Sequence, residues 1–188
     1  GPAAQPAGPL GSFSRIQIDH VMLPKTDKYQ YLFIVTDAFS GWTELTPTAD
    51  TGARGAADAL VAWIYRFGAF DELLSDRHAS FVGELLKHVS ALFGYRAKVT
   101  SSRNAKSNGK CERLCKYAGY QLRVLCGDRQ DTWTERVLAV QSAINSTPQR
   151  NTNLSSYQII FGRDFRLAID ASVLPRFEET ASLQEFLN

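Results

Sequence analysis

The chain has 188 residues, enough to bury the core of one ordinary domain, and its 44% hydrophobic and 11% aromatic content argues against a disordered chain. No run approaches about eighteen consecutive apolar residues, so no membrane span is expected, and three cysteines, an odd number, imply no disulfide framework. The net charge of +2 conceals an asymmetry: from Arg96 to Arg129 nine Lys and Arg face two acids, a local +7, which leaves −5 for the rest.

Residues 1–12, almost entirely Gly, Pro and Ala, lack apolar periodicity and read as a linker or expression scar outside the fold. The absence of a signal-peptide pattern reads as a soluble, intracellular chain. From Arg15 to Val21, Ile16 and Ile18 alternate with Gln17 and Asp19, as in a half-buried strand. The denser run Tyr29–Thr36 reads as a central strand. A turn over Asp37-Ala-Phe-Ser-Gly then leads to a third strand, Trp42–Pro47, completing an antiparallel meander.

Spacings of three and four then take over. Ala56, Leu60, Trp63, Ile64 and Phe67 predict a helix over Ala53–Phe67, stopped near Gly68. Glu72–Ser75 reads as a short buried strand with Asp76 just beyond its end. A helix over Phe81–Leu92 and a fifth strand over Arg96–Thr100 follow. A long helix from about Asn108 to Leu125 carries Cys111, Leu114, Cys115, Ala118, Leu122 and Leu125 on one stripe, with Glu112, Lys116 and Arg123 off it. Thr132–Asn145 predicts another helix and Ser155–Phe161 a last short one; from Asp170 the pattern is weak. The order of elements implies an α/β domain with a mixed five-stranded sheet.

Three carboxylates stand out. Asp19 lies on the first strand, Asp76 follows the fourth, and Glu112 falls in the first turns of the long helix, with thirty-five residues between the last two. Acids far apart in sequence at strand ends and helix starts are what a fold must gather to hold divalent cations for phosphodiester chemistry, and such hard cations require no His or Cys. The basic segment around Glu112 is the footprint expected of a polyanionic substrate, or equally a solvated helix face. Taken singly, Glu112 also reads as an acid stabilising a helix N-terminus. Cys111, Cys115 and Cys126 read as small buried hydrophobes on that stripe, with metal ligation as the alternative. His20 reads as core-facing, with tuning of a metal site as the alternative. Asp37 reads as turn-forming, with a fourth carboxylate ligand as the alternative, and His88 as surface. Trp63 and Trp133 read as core or dimer-interface residues.

Several motifs in order, covering about Ile16 to Leu167, resemble the catalytic core of the retroviral integrase family, and within it integrases of gypsy-type LTR retrotransposons and gammaretrovirus-like elements. They are Ile-Gln-Ile-Asp-His-Val-Met-Leu-Pro, Tyr-Leu-Phe-Ile-Val-Thr-Asp-Ala-Phe-Ser-Gly-Trp, Leu-Leu-Ser-Asp-Arg-His-Ala-Ser-Phe and Ser-Asn-Gly-Lys-Cys-Glu-Arg. Downstream, Ile-Asn-Ser-Thr-Pro and Leu-Ser-Ser-Tyr-Gln-Ile-Ile-Phe-Gly-Arg are similar to the end of such cores, and the thirty-five-residue spacing matches.

The resemblance implies a ribonuclease-H-like fold, a core over 13–170 with a tail over 171–188, and Asp19, Asp76 and Glu112 as catalytic, metal-binding triad. It implies Mg2+ or Mn2+, two ions in the active complex, and DNA contacts from Asn104, Lys106, Ser107, Asn108, Lys110 and Lys116. The implied reactions are DNA 3′-end processing and strand transfer. The implied partners are element and target DNA, a second copy in a homodimer or higher oligomer, and a host tethering protein, with no membrane. The implied place of action is the nucleus, after a cytoplasmic phase.

Two departures stand against the pattern. His78 replaces the Gly that follows Asp-Arg or Asp-Asn, a position where His is either strained or solvent-facing. Ala105-Lys106 replaces Pro-Gln, from which a looser, more cationic loop is expected. No zinc-binding His-His-Cys-Cys array precedes the core motifs and no small β-barrel or chromodomain follows them, so the sequence reads as an excised core or truncated relative, weakly active alone. The competing expectation is a domesticated module that binds protein or nucleic acid without catalysis.

Overall fold

The computed structural model describes residues 11–94, 97–101 and 105–166, with 100–101 and 105–111 described by their backbone. Five strands form one mixed sheet in the order β3-β2-β1-β4-β5: β1 Arg15–Met22, β2 Tyr31–Asp37, β3 Thr43–Thr48, β4 Glu72–Ser75 and β5 Lys98–Ser101. The first three pair antiparallel; β4 runs parallel to β1 and β5 parallel to β4. β2 is covered on both faces, and its residues 32–35 are apolar without interruption: Phe33 and Val35 point to one layer, Leu32 and Ile34 to the other.

Helices α1 (Ala53–Phe67) and α2 (Ala79–Phe93) cover the first face, where Leu60, Trp63 and Leu85 are fully buried against Ile16, Ile18 and Leu73. Helices α3 (Ala105–Cys126) and α4 (Val137–Ser146) cover the other, where Ala118, Leu122, Val140 and Ile144 pack on Leu32, Ile34 and Leu45. A short α5 (Ser156–Phe161) follows, its N-terminus closed by a capping box between Ser155 and Gln158. Among the described residues no helix is long and apolar enough to cross a membrane.

Three departures from expectation have physical causes. The long helix begins at Ala105, one turn early: Ala and Lys are strong helix formers, so Ala105-Lys106 extend α3, and the loop before them, 102–104, lies outside the described residues. The segment expected as one helix over Thr132–Asn145 splits into a 3-10 turn, Gln130–Arg136, and α4. The tighter turn buries Trp133 while its indole N–H donates to Pro24 O at 2.8 Å, and Thr132 Oγ1 donates to Arg129 O. The fifth strand starts at Lys98, whose N–H donates to Asp71 O, whereas Arg96 lies outside the described residues. Trp63 and Trp133 are both core residues, at 0% and 1% exposure.

The edge strand β3 is closed by side chains. Asn145 Oδ1 accepts from Thr43 N at 2.8 Å and its amide donates to Thr43 O at 2.7 Å, while Gln141, one turn earlier on α4, accepts from Leu45 N at 2.8 Å. Two polar residues four apart thus stand in for a missing neighbouring strand and protect the edge. Asn145→Ala leaves Thr43 N and O buried without partners and is expected to cost about 2–4 kcal/mol, seen as a lower urea midpoint with an unchanged m-value.

Candidate active site

The parallel pairing of β1 with β4 sets the first two carboxylates. Gln17 lies opposite Leu74, so Asp19 and Asp76, each two residues further along, come to neighbouring positions where β4 ends. The charge of Asp76 acts on Asp19. Gln17 and Asp19 face the α3 layer, and the alternation puts His20 on the α1–α2 side.

Asp19 is half-buried and held at both oxygens: Oδ1 accepts from His20 N at 2.7 Å, and Oδ2 from the Cys115 thiol at 3.4 Å. Burial pushes its carboxyl above the usual range, and the charge of Asp76 pushes the same way. The two hydrogen bonds and the Arg77 guanidinium oppose the rise.

Glu112 stands differently. It is exposed on α3, one turn before Cys115, and pairs with Lys116 Nζ at 2.7 Å, which holds its carboxyl below the usual range. The structure therefore brings Asp19 and Asp76 together and leaves Glu112 beside Lys116. Among the described residues no group of three His, Cys, Asp or Glu side chains is gathered as a metal cage. Lys116, expected on DNA, is thus engaged with Glu112. Lys106, Ser107, Asn108 and Lys110 lie in the first turns of α3, where only the backbone is described, and Asn104 lies outside the described residues.

His78 carries no strain. Its φ of −55° and ψ of 141° are those of a helix N-cap, and its Nδ1 accepts from Ser80 N at the start of α2. Asp37 is fully buried and accepts from Phe13 N, Ser40 N and Ser40 Oγ, the turn-forming role expected of it. His88 is half-exposed on α2.

His20 packs between Phe33 and Phe81, at ring-centroid distances of 4.8 and 5.7 Å, and neither ring nitrogen has a hydrogen-bond partner among the described residues. Burial, then the charge of Arg77, lowers its pKa from 6.5 to about 4. The folded ring is neutral where the unfolded one binds a proton, so stability is full above pH 6.5 and is lost as pH falls from 6.5 toward 4. Wild type is expected to lose about 2 kcal/mol across that window in denaturant titrations, after allowance for the water reaching the ring, and His20→Phe is expected to lack this slope.

Two residues here take roles at the site that were not expected of them from the sequence. Arg77, quoted only as part of a motif, rests 4.8 Å over the Phe81 ring, donates to Thr51 O, and acts electrostatically on both Asp19 and His20. Its adjacency to Asp76 was the available signal. Cys115 does lie on the buried stripe, as expected, but its contact with Asp19 crosses 96 positions and has no local sequence signature.

No family model matches the chain. Its sequence is 25% identical over 162 residues, 84% of the chain, to the Transposon Tf2-3 polyprotein of Schizosaccharomyces pombe, of which it spans only 12%. Its fold matches the catalytic core domain of BIV integrase with a TM-score of 0.62 at 19% identity, covering 78% of this chain and 93% of that one. It also matches the HTLV-2 integrase catalytic core domain in complex with magnesium, in a trimeric form, with a TM-score of 0.61 at 17% identity, covering 78% and 95%. The chain is therefore a homologue of a segment of the Tf2 transposon polyproteins and carries the ribonuclease-H-like fold of retroviral integrase catalytic cores.

Proposed function

We propose that this chain is the catalytic core of an integrase, a metal-dependent polynucleotidyl transferase that trims DNA 3′ ends with water and joins the resulting 3′-hydroxyls to target DNA. The observation that carries the reading is the meeting of Asp19 and Asp76 at the end of β4, with Glu112 on the helix that touches Asp19 through Cys115.

The donor set suits Mg2+ or Mn2+: carboxylate oxygens are the ligands of hard cations, and the repulsion between Asp19 and Asp76 is what a divalent cation would relieve. A pair of such ions, when bound, supplies activation of the attacking oxygen and charge stabilisation of the leaving oxygen. Asp19 and Asp76 would hold them, and Glu112 would join after giving up Lys116. Lys116, once released, is placed to meet a phosphate, as are Lys106 and Lys110 by their position on α3, with Asn104, Ser107 and Asn108 as polar contacts. The reading extends to a homo-oligomeric assembly acting on chromosomal DNA in the nucleus.

The test is a Mn2+-dependent disintegration assay, the reversal of strand transfer on a branched DNA. The 188-residue chain is expected to release the joined strand with Mn2+, to stop on chelation and to resume on re-addition. No reaction together with no Mn2+ binding would overturn the reading.

A further inference from the structure

Resting on the metal-site reading above, we propose that Cys115 is a positioning residue for Asp19: its thiol, as a hydrogen-bond donor from α3, fixes the carboxylate that receives the metal.

A carboxylate at the end of an aspartate side chain turns about χ2 with little resistance, since that torsion is broad. Asp19 is restrained at both oxygens by groups from different elements: the backbone N–H of His20 on its own strand reaches Oδ1, and the Cys115 thiol on α3 reaches Oδ2. With one lone-pair direction on each oxygen taken, those left to a cation are fixed relative to the sheet. Groups that hydrogen-bond a metal-ligating carboxylate from behind act in this way and set its affinity.

The contact also ties the helix to the strand. Cys115 is 5% exposed and Ala118 fully buried on the same stripe. One turn on from Cys115, Gly119 faces β1 so closely that a Cβ there would stand 3.2 Å from Val21 Cγ1. A helix seated this tightly places a side chain of two heavy atoms, such as Cys, within reach of Asp19, and Glu112 lies one turn before it on the same rigid element. The donor thus couples the orientation of Asp19 to the position of the helix that carries Glu112. Packing alone requires only a small side chain at 115; fixing Asp19 requires one with a hydrogen to donate.

The two roles separate experimentally in Cys115→Ala, which keeps a small side chain and removes the donor, and Cys115→Ser, which keeps a donor. Mn2+ affinity of the full chain would be measured by electron paramagnetic resonance titration, beside the Asp19 carboxyl pKa by NMR and the melting temperature, both without metal. Cys115→Ala is expected to weaken Mn2+ binding by about tenfold or more and to raise the Asp19 pKa further, with Cys115→Ser returning both toward wild type. Should Cys115→Ala melt too low to study, Cys115→Val refills the volume without a donor and is expected to show the same losses. Equal Mn2+ affinity in wild type and the donorless variant would overturn the positioning role, as would Cys115→Ser binding as weakly as Cys115→Ala. Failure of wild type to bind Mn2+ would instead sink the metal-site reading itself, and this inference with it.

Discussion

Asp19→Asn is expected to abolish Mn2+-dependent strand release while raising the melting temperature of the metal-free protein. The two effects share one cause. At neutral pH Asp19 carries a charge that burial disfavours and that Asp76 repels, and its carboxyl is accordingly held above the ordinary range. A raised carboxyl pKa means that the folded state binds the proton more tightly than the unfolded one. Its contribution to stability is therefore complete below the unfolded value and is lost as pH rises through the folded one. Asparagine removes the charge and keeps the geometry: its oxygen can accept from His20 N, and its amide faces Cys115 Sγ. The gain is expected at pH 7 and should vanish in acid, where wild type is itself protonated.

The metal reverses the order. Mn2+ at about a hundred times its dissociation constant should stabilise wild type by about 2.7 kcal/mol, a linkage Asp19→Asn is expected to lose with its charge. Activity should fall by about a thousandfold or more, since the lost metal contribution is worth several kcal/mol at the transition state. A variant that melted higher yet kept the Mn2+ shift would remove Asp19 from the metal site.

The periodicities carried the fold a long way. α1 and β4 fall on the expected residues, because an unbroken three-and-four spacing and a buried Leu73-Leu74 pair flanked by polar residues leave little latitude. What stayed hidden depends on partners distant in sequence. Trp133 tightens its turn because its N–H must reach Pro24, 109 positions away, and nothing near Trp133 announces that acceptor. Asn145 and Gln141 were more legible in principle: two amides four residues apart among apolar positions mark a helix facing backbone groups, here the edge of β3. At the site, the sequence located Asp19, Asp76 and Glu112 on their elements and placed Glu112 off the packing stripe of α3. Sequence alone does not choose between a gathered triad and an acid engaged by its own helix, since Lys116 sits at the i+4 position that any exposed glutamate would use.

That choice gives Glu112→Gln its diagnostic value. If Glu112 joins the proposed metal site, strand release is expected to fall as far as in Asp19→Asn, about a thousandfold or more, because the transition state would lose a carboxylate ligand. Stability should respond differently. Glu112 is exposed and its pair with Lys116 lies in solvent, so the metal-free melting temperature is expected to stay nearly unchanged, without the rise expected of Asp19→Asn. Mn2+ should still bind, weakened, since Asp19 and Asp76 remain together at the end of β4. Loss of activity with retained metal binding and an unmoved melting temperature would identify Glu112 as a ligand recruited from the surface of α3. Full activity in Glu112→Gln would show instead that this acid serves only to pair Lys116, and the site would be one of two carboxylates. The contrast in stability has a physical cause: Asp19 keeps its carboxylate in a desolvated, like-charged setting that costs the fold, whereas Glu112 pairs with Lys116 in water at almost no cost.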